Sequence, residues 1–280
     1  MSAPLTSSIP ARTRVVRARQ RPGVRRGVLI GTEIAVPIVL VAVWWLVSAQ
    51  STNTFFPPLQ TIVERLTEMI STAEFWSDVR VSLGNLFLSF AIACVAGIAV
   101  GTVLGLVRPL AWFAEPTLHF FRAIPPVALV PIFVSLLGFG NETRILSITL
   151  STFFPVLIAT LDGIAGMEPV LRMVNRVYRI GLSDRLVSVV LPAASPRILA
   201  GMQVGLITAF VVMIASEMLG SSVGLGAATL LAQQTFAIAD MWAGIIVLGV
   251  IGYLTTALFT LFRRRVLRWY VASQMQERNA

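Results

Sequence analysis

Three charged residues lie within otherwise apolar stretches of the sequence, and they are its first candidates for function. Arg122, Asp162 and Glu217 would each lie inside lipid, where an ionised side chain is costly and by default marks a functional site. Arg122 precedes Pro125 and Pro126, and a proline break leaves carbonyl groups free to solvate it. We interpret Arg122 either as an electropositive feature in the path of an anion or as an anchor for the inner end of its helix.

The two acidic residues and an aromatic pair each allow two interpretations. Asp162 lies about one turn from the end of its apolar stretch, where contact with water explains it more simply than a special role does. Glu217 is either an outer gate, tied to the glycine loop at Gly224, or a hydrogen-bonding group within a helix bundle. Phe153 and Phe154 form either a constriction or part of a core.

No arrangement of residues predicts catalysis or metal binding. His119 is the single histidine and Cys94 the single cysteine, so a metal site with several such ligands is not expected. All 22 basic residues are arginine, and a chain without lysine cannot carry the phosphate-binding loop of an ATPase. We therefore expect no enzyme activity, no metal and no cofactor in this chain.

The composition is that of a membrane protein. Hydrophobic residues make up 56% of the chain and charged residues 12%, whereas a soluble domain carries about 25% charged residues. Several apolar runs reach the length of about 20 residues that crosses a bilayer as a helix, and barrel strands are much shorter. The sequence predicts an all-α polytopic membrane protein, with the lipid bilayer as partner. The net charge of +9 does not indicate a nucleic-acid partner, because the arginines follow the membrane edges.

The apolar runs predict six membrane-spanning helices in one membrane domain, residues 27–270. A basic tail, residues 1–26, precedes this domain, and a short tail, residues 271–280, follows it. Glycines on one face of the second span predict close packing against another helix. The prolines of the third span predict a kink or a break. The six spans are expected at residues 28–47, 83–107, 123–137, 145–164, 198–219 and 241–261.

Arginine is distributed unevenly between the two sides that six spans define. Only Arg65, Arg80 and Arg144 fall on one side, together with most of the acidic residues, and the other arginines outside the spans fall on the opposite side. Arginine-rich loops stay in the cytoplasm. Both termini are therefore predicted to be cytoplasmic.

The segment between the fourth and fifth spans, residues 168–196, is patterned unlike a plain loop. Arg172, Arg176 and Arg179 recur at helical spacing with apolar residues on other faces, which predicts a short amphipathic helix. Leu191-Pro192 and Pro196 are expected to break the chain after it, because proline removes a backbone donor and clashes with the preceding turn. A charged helix before a proline elbow is expected to dock a partner in the cytoplasm.

The same segment resembles a known family. Residues 189–202, VVLPAASPRILAGM, resemble the cytoplasmic loop motif of permease subunits of binding-protein-dependent ABC importers, closest to the nitrate, sulfonate and taurine type. Further family motifs follow in order and spacing between residues 56 and 269, namely FPP at 56–58, RAIPP at 122–126, FFP at 153–155 and EMLG at 217–220.

The first half of the loop motif departs from the family pattern. In an ungapped alignment on Leu191 and Pro192, the family's Glu-Ala-Ala falls on Met173, Val174 and Asn175. The family's glycine falls on Arg179, and a glycine follows two residues later at position 181.

The resemblance implies the type I ABC importer architecture and its partners. Two copies of the chain would form the path of a small solute, such as a sulfonate, taurine or nitrate, in a prokaryotic plasma (inner) membrane. Two separate ATPase subunits, which bind ATP and Mg, would dock on the loop and drive alternating access, and an extracytoplasmic binding protein would deliver the solute. A secondary transporter or channel that works without an ATPase is the alternative, and a membrane-bound enzyme is a third interpretation.

Two sets of site residues follow from the loop pattern and the resemblance. The residues expected to couple the chain to the ATPase are Glu168, Leu171, Arg172, Val174, Asn175, Arg176, Tyr178, Arg179, Gly181, Leu182, Ser183, Leu191 and Pro192. The residues expected along the translocation pathway or at its gate are Arg122, Pro125, Pro126, Phe153, Phe154, Met213, Glu217 and Ser222.

Overall fold

A computed structural model describes the backbone of residues 26–270 and the side chains of residues 35–270, except that of Arg176. The described part is helical and contains no strand. Its α-helices are α1 (Arg26–Ser48), α2 (Leu59–Ile70), α3 (Ala73–Leu106), α4 (Arg108–Ala123), α5 (Val130–Leu137), α6 (Asn141–Ala165), α7 (Pro169–Val177), α8 (Leu182–Arg185), α9 (Leu191–Gly220), α10 (Leu225–Gln234) and α11 (Ile238–Val266).

Among the described residues, four helical runs are long and apolar enough to cross a membrane. They are α3, α6, α11 and the continuous run Leu182–Gly220, which contains α8 and α9. These four runs account for the second, fourth, fifth and sixth predicted spans. The count among these residues is four, or five if a bent helix pair is included; the sequence predicts six.

The bent pair replaces the third predicted span, residues 123–137. Helix α4 ends at Ala123, and the helical stretch Pro126–Leu137 continues at an angle of 85° to it. Ile124 and Pro125 each precede a proline, which disfavours the helical conformation, and their ψ angles are 122° and 120°. The predicted break at these prolines is confirmed.

Helix α1 belongs to a unit of its own, residues 1–50, separate from the unit that begins at residue 51. It coincides with the first predicted span, residues 28–47. The helix has 23 residues, and its described side chains form the apolar segment Ala35–Ser48. The predicted tails, residues 1–26 and 271–280, lie outside the described residues apart from Arg26, which begins α1.

Helix α6 packs between α3 and α9 and forms the centre of the second unit. The glycine face of α3 makes the first contact, since a Cβ atom on Gly101 would lie only 2.6 Å from the carbonyl oxygen of Leu157. On the other side, a Cβ on Gly205 of α9 would lie 3.0 Å from Cγ2 of Thr152. The predicted helix-packing role of the α3 glycines is confirmed, and the three helices approach too closely for side chains between them.

The predicted proline elbow at Pro192 and Pro196 is wrong, because the helical run Leu182–Gly220 continues through both prolines. Before Pro192, the π-helical segment Leu186–Val190 shifts the hydrogen-bond pattern by one residue. Pro196 has no N–H for the carbonyl group of Pro192, and the hydroxyl group of Ser195 donates to that carbonyl instead at 2.8 Å. Local substitutes therefore replace the hydrogen bonds that the prolines remove.

Candidate functional sites

A groove of about 580 Å³ lies between α4, α6 and α9, with walls that are mostly apolar. Arg122, Asp162 and Arg197 bring the only charged side chains to its lining. Arg122 reaches the groove because the chain bends directly after α4, in whose last turn this arginine lies. A cation in the last turn of a helix is also favoured by the helix dipole.

Arg197 is positioned by the end of α6. Its NH1 group donates a hydrogen bond to the backbone carbonyl oxygen of Asp162 at 2.8 Å. Gly166 leaves room for this arrangement, since a Cβ there would lie 2.7 Å from NH1 of Arg197. A guanidinium group has five N–H donors, and Arg197 makes only this one bond to the part of the chain that the structure describes. Arg197 can therefore bind a further acceptor in the groove.

An aromatic pair forms part of the groove wall. Phe154 stacks on Phe121, with ring centroids 5.3 Å apart and an angle of 15° between the rings, and both line the groove. Phe153 contacts Phe154 edge to face but does not line the groove. Of the two prolines, Pro126 lines the groove and Pro125 does not. The structure thus brings together three of the residues predicted for the pathway, Arg122, Pro126 and Phe154.

The other predicted pathway residues lie elsewhere. Met213 is fully buried in an apolar cluster of α3, α5, α6 and α9, and Ser222 is exposed in the loop after α9. Arg197 and Asp162 were not predicted for the pathway. Arg197 was assigned to the basic side of the membrane, and no sequence signal connects it with the end of α6.

Glu217 is fully buried and holds the loop that leads into α10. Its Oε2 atom accepts a hydrogen bond from the backbone N–H of Gly226 at 2.9 Å. The N–H of Gly224 donates to Oδ1 of Asp78 on α3 at 2.8 Å. Gly224 has a φ angle of 123°, and a Cβ there would lie 2.6 Å from Cδ of Glu217. Two carboxylates thus bind free N–H groups at the start of α10, as expected for a helix N-terminus.

Helix α7 has one buried face and one exposed face. Leu171 packs against a buried cluster that includes Ile164 at the end of α6, and Asn175 is 5% exposed. On the opposite face, apolar side chains are exposed at helical spacing, with exposed fractions of 62% for Val170, 61% for Met173 and 77% for Val177. Tyr178, directly after the helix, and Leu182, at the start of α8, are also exposed, at 75% and 76%. An apolar face this exposed at the end of a bundle is typical of a contact surface.

The arginines predicted to form the basic side of α7 have different surroundings in the structure. The NH2 group of Arg172 donates hydrogen bonds to the carbonyl oxygens of Ile164, at 3.1 Å, and Ala165, at 2.5 Å. These carbonyls belong to the last turn of α6, so Arg172 joins α7 to α6. Arg179 is exposed after the helix, and the side chain of Arg176 lies outside the described residues.

The residue with a left-handed conformation after α7 is Arg179 rather than a glycine. Arg179 has a φ angle of +49°, in the left-handed region that favours glycine. It is the position on which the family's glycine falls in the ungapped alignment. Gly181 has an ordinary φ angle of −57° and open space around it.

The remaining predicted coupling residues lie around this turn or beyond it. Glu168 and Ser183 are exposed beside α7 and α8, and Val174 is 40% exposed on α7. Leu191 and Pro192 lie half-buried within α9, away from the turn, because no elbow forms there. Among the described residues, no cluster of three or more histidine, cysteine or acidic side chains could hold a metal ion.

Comparison with known proteins identifies the family. The family described as "Binding-protein-dependent transport system inner membrane component" matches residues 93–268. The putative aliphatic sulfonates transport permease protein SsuC of Bacillus subtilis is 32% identical, over 96% of this chain and 98% of its own length. The taurine transport system permease protein TauC of Escherichia coli is 30% identical, over 83% of this chain and 87% of its own length. The bicarbonate transport system permease protein CmpB of Synechococcus elongatus is 32% identical, over 69% of this chain and 70% of its own length.

The fold is similar to that of a solved importer. A chain of the inward-facing MetNI methionine ABC transporter aligns with a TM-score of 0.60 at 21% identity, over 70% of this chain and 99% of that one. The resemblance stated from the sequence is therefore confirmed, as is the expected fold class. The chain belongs to the family of binding-protein-dependent transport system inner membrane components and is a membrane-spanning permease subunit of an ABC importer.

Proposed function

We propose that the groove between α4, α6 and α9 is one wall of the path of a small anion, and that a second copy of the chain supplies the other wall. The observation that carries the proposal is the pair of guanidinium groups, Arg122 and Arg197, on an otherwise apolar lining with one carboxylate, Asp162. Two positive charges and one negative charge leave the groove net positive. Charged groups at membrane depth mark solute paths.

The names of the relatives agree with this charge. Aliphatic sulfonates, taurine and bicarbonate, the solutes named for SsuC, TauC and CmpB, all carry an anionic group. An arginine can bind such a group with two parallel N–H donors. We therefore propose an organic sulfonate or a similarly small anion as the solute of this importer.

Uptake by the reconstituted importer tests the proposal. Arg122→Gln and Arg197→Gln should each lower ATP-driven uptake of the sulfonate at low concentration by about tenfold or more, since a hydrogen bond to a charged group contributes about 1.5–3 kcal/mol. Arg80→Gln is the matched control, because Arg80 is exposed and lies outside the groove. Uptake by both groove variants at the rate of the unaltered importer would remove the groove from the solute path.

Asp162 distinguishes two kinds of sulfonate. Taurine carries an ammonium group and isethionate a hydroxyl group in its place. If the carboxylate of Asp162 faces the ammonium group, Asp162→Asn should lower uptake of taurine and leave uptake of isethionate unchanged. An equal loss for both solutes would show that Asp162 serves the helix end rather than the solute.

The exposed apolar face of α7 is the proposed docking site of the ATPase. ABC importers of this family work with ATPase and binding-protein partners, and the ATPases would bind ATP and Mg on the cytoplasmic side. Closure of two ATPases would move α7, and the bonds from Arg172 to α6 would pass this motion to the groove. Such transmission needs a rigid element with two arrangements.

The arginine bias supports an orientation with both termini in the cytoplasm. Cysteines placed at Ser71 and Ser222 should then react with an impermeant thiol reagent in intact cells, and one at Ser183 should not. All three positions are exposed, and the natural Cys94 is buried, so the unaltered protein gives the background. Reaction at Ser183 from outside would reverse the orientation.

A further inference from the structure

A second cavity, of about 430 Å³, lies at the end of the bundle that carries α7. It is bounded by the end of α3, the start of α4 and the end of α6, together with residues of α7 and α8. It shares no lining residue with the groove. The proposed solute path and ATPase contact leave this cavity without a role.

The charges around the cavity favour an anion. Three arginines from three helices line it, Arg108 of α4, Arg172 of α7 and Arg185 of α8, against a single acidic residue, Glu115. The cavity also lies at the start of α4, where the helix dipole is positive. Arg108 thus places a positive charge at the positive end of the helix dipole. A bound anion would compensate the charge of Arg108 and that end of the dipole.

The hydrogen bonds of the arginines are incomplete. The Nε atom of Arg185 is buried and has no hydrogen-bond partner among the described residues. Arg172 uses NH2 for its two bonds to α6, and its NH1 and Nε atoms donate to none of the residues that the structure describes. A buried donor without a partner is destabilising, so an acceptor at this position would satisfy it.

The rim of the cavity suits a lipid rather than a free ion. Trp112 lines it and is 74% exposed, and the neighbouring Phe113 is 87% exposed. Tryptophan at the end of membrane helices is typical of the headgroup level of a bilayer. Basic pockets between membrane helices on the cytoplasmic side bind anionic headgroups.

We propose that this cavity binds the phosphate group of an anionic phospholipid, with Arg108, Arg172 and Arg185 around the phosphate and Trp112 beside the glycerol and acyl chains. Arg172 and Arg185 lie on either side of the turn after α7. The bound lipid therefore holds the docking helix against the membrane and makes its position sensitive to the charge of the inner leaflet.

Native mass spectrometry of the full chain, purified with its ATPase, tests the site. After addition of equal amounts of phosphatidylglycerol and phosphatidylcholine, the unaltered protein should retain the anionic lipid in excess. Arg108→Gln and Arg185→Gln should each lower this excess by about fivefold, which corresponds to about 1 kcal/mol per arginine. Arg80→Gln, an exposed arginine outside the cavity, should leave the excess unchanged.

Two outcomes would overturn the proposal. Equal retention of the two lipids, or an excess that neither arginine variant lowers while both remain folded by circular dichroism, would show that the cavity does not recognise an anionic headgroup. Displacement of phosphatidylglycerol by an equal concentration of inorganic phosphate would assign the cavity to the free ion instead. Retention that survives phosphate but falls in both variants supports the lipid.

Discussion

The core of α3, α6 and α9 and the segment of α7 and α8 are built in opposite ways. In the core, backbone and side chains approach so closely that a Cβ on Gly101 would lie 2.6 Å from Leu157 O and 2.8 Å from Cβ of Thr160. In the α7 segment, Gly181 has open space and apolar side chains such as Val177 are mostly exposed. The contacts among α3, α6 and α9 are complete within the chain, whereas the exposed apolar face of α7 has no partner in the single chain.

This difference suits two tasks within one chain: the α7 segment can receive a movement from a partner, and the packed core can transmit it. We expect the packed core to move as a body, because close-packed interiors have two or few arrangements rather than a continuous range. The α7 segment contacts that body through Leu171 and through the two hydrogen bonds of Arg172. A force applied to α7 therefore reaches α6 at this joint, besides the continuous helical run that links α8 to α9, and α6 forms part of the groove wall.

The largest effect is expected in the core. Gly101→Val adds a branched side chain where even a Cβ has no room, and overpacking of this kind costs about 1–3 kcal/mol and more when backbone must move. We expect little folded protein and a much lower midpoint of thermal unfolding in detergent. Gly84→Val on the same helix is the control, since no atom lies within 4 Å of a Cβ there. Equal midpoints for the two variants would contradict the tight α3–α6 contact.

A smaller effect is expected at the joint. Arg172→Gln removes the donor that binds the carbonyl oxygens of Ile164 and Ala165. Because the bond to Ala165 is exposed and the bond to Ile164 only part-buried, the loss of stability should be only about 1 kcal/mol. The ATPase should still bind, but solute-stimulated ATP hydrolysis should fall. Normal stimulation in Arg172→Gln would show that force reaches α6 by another contact.

The smallest effect is expected at the turn. Arg179→Gly places glycine at a φ angle of +49°, which should relieve strain of about 1 kcal/mol. Greater flexibility of the unfolded chain offsets part of this gain. The variant should be at least as stable as the unaltered protein and should retain uptake. Loss of uptake with unchanged stability would assign the arginine side chain to the ATPase contact itself.

The sequence predicted the membrane core better than the ends of its helices. Hydropathy located the spans at 145–164 and 241–261 because lipid demands apolar side chains there. Hydropathy placed the start of the second span at residue 83, but α3 begins at Ala73. Thr72 accepts a hydrogen bond from the N–H of Phe75 at this helix start, and polar residues form the first turns. The end of the apolar run is not the end of the helix.

The candidate site could be predicted only in part. Arg122 could be found because it is a charge next to a proline break, and Phe154 because it belongs to a short motif. Arg197 could not, because its role depends on the packing of α9 against the end of α6. The proline elbow was expected because proline usually ends a helix, but Ser195 and a π-helical segment replace the lost bonds.

The central claim is that the exposed apolar face of α7 receives the ATPase. The most direct measurement is the amount of ATPase that purifies with a tagged chain carrying Val177→Asp, a charge at a position that is 77% exposed. We expect the ATPase to be lost, together with its stimulated activity, while thermal stability stays unchanged because Val177 makes no core contact. Val63→Asp, at the exposed position on α2, should retain the ATPase. Normal ATPase binding and stimulation in Val177→Asp would contradict the claim.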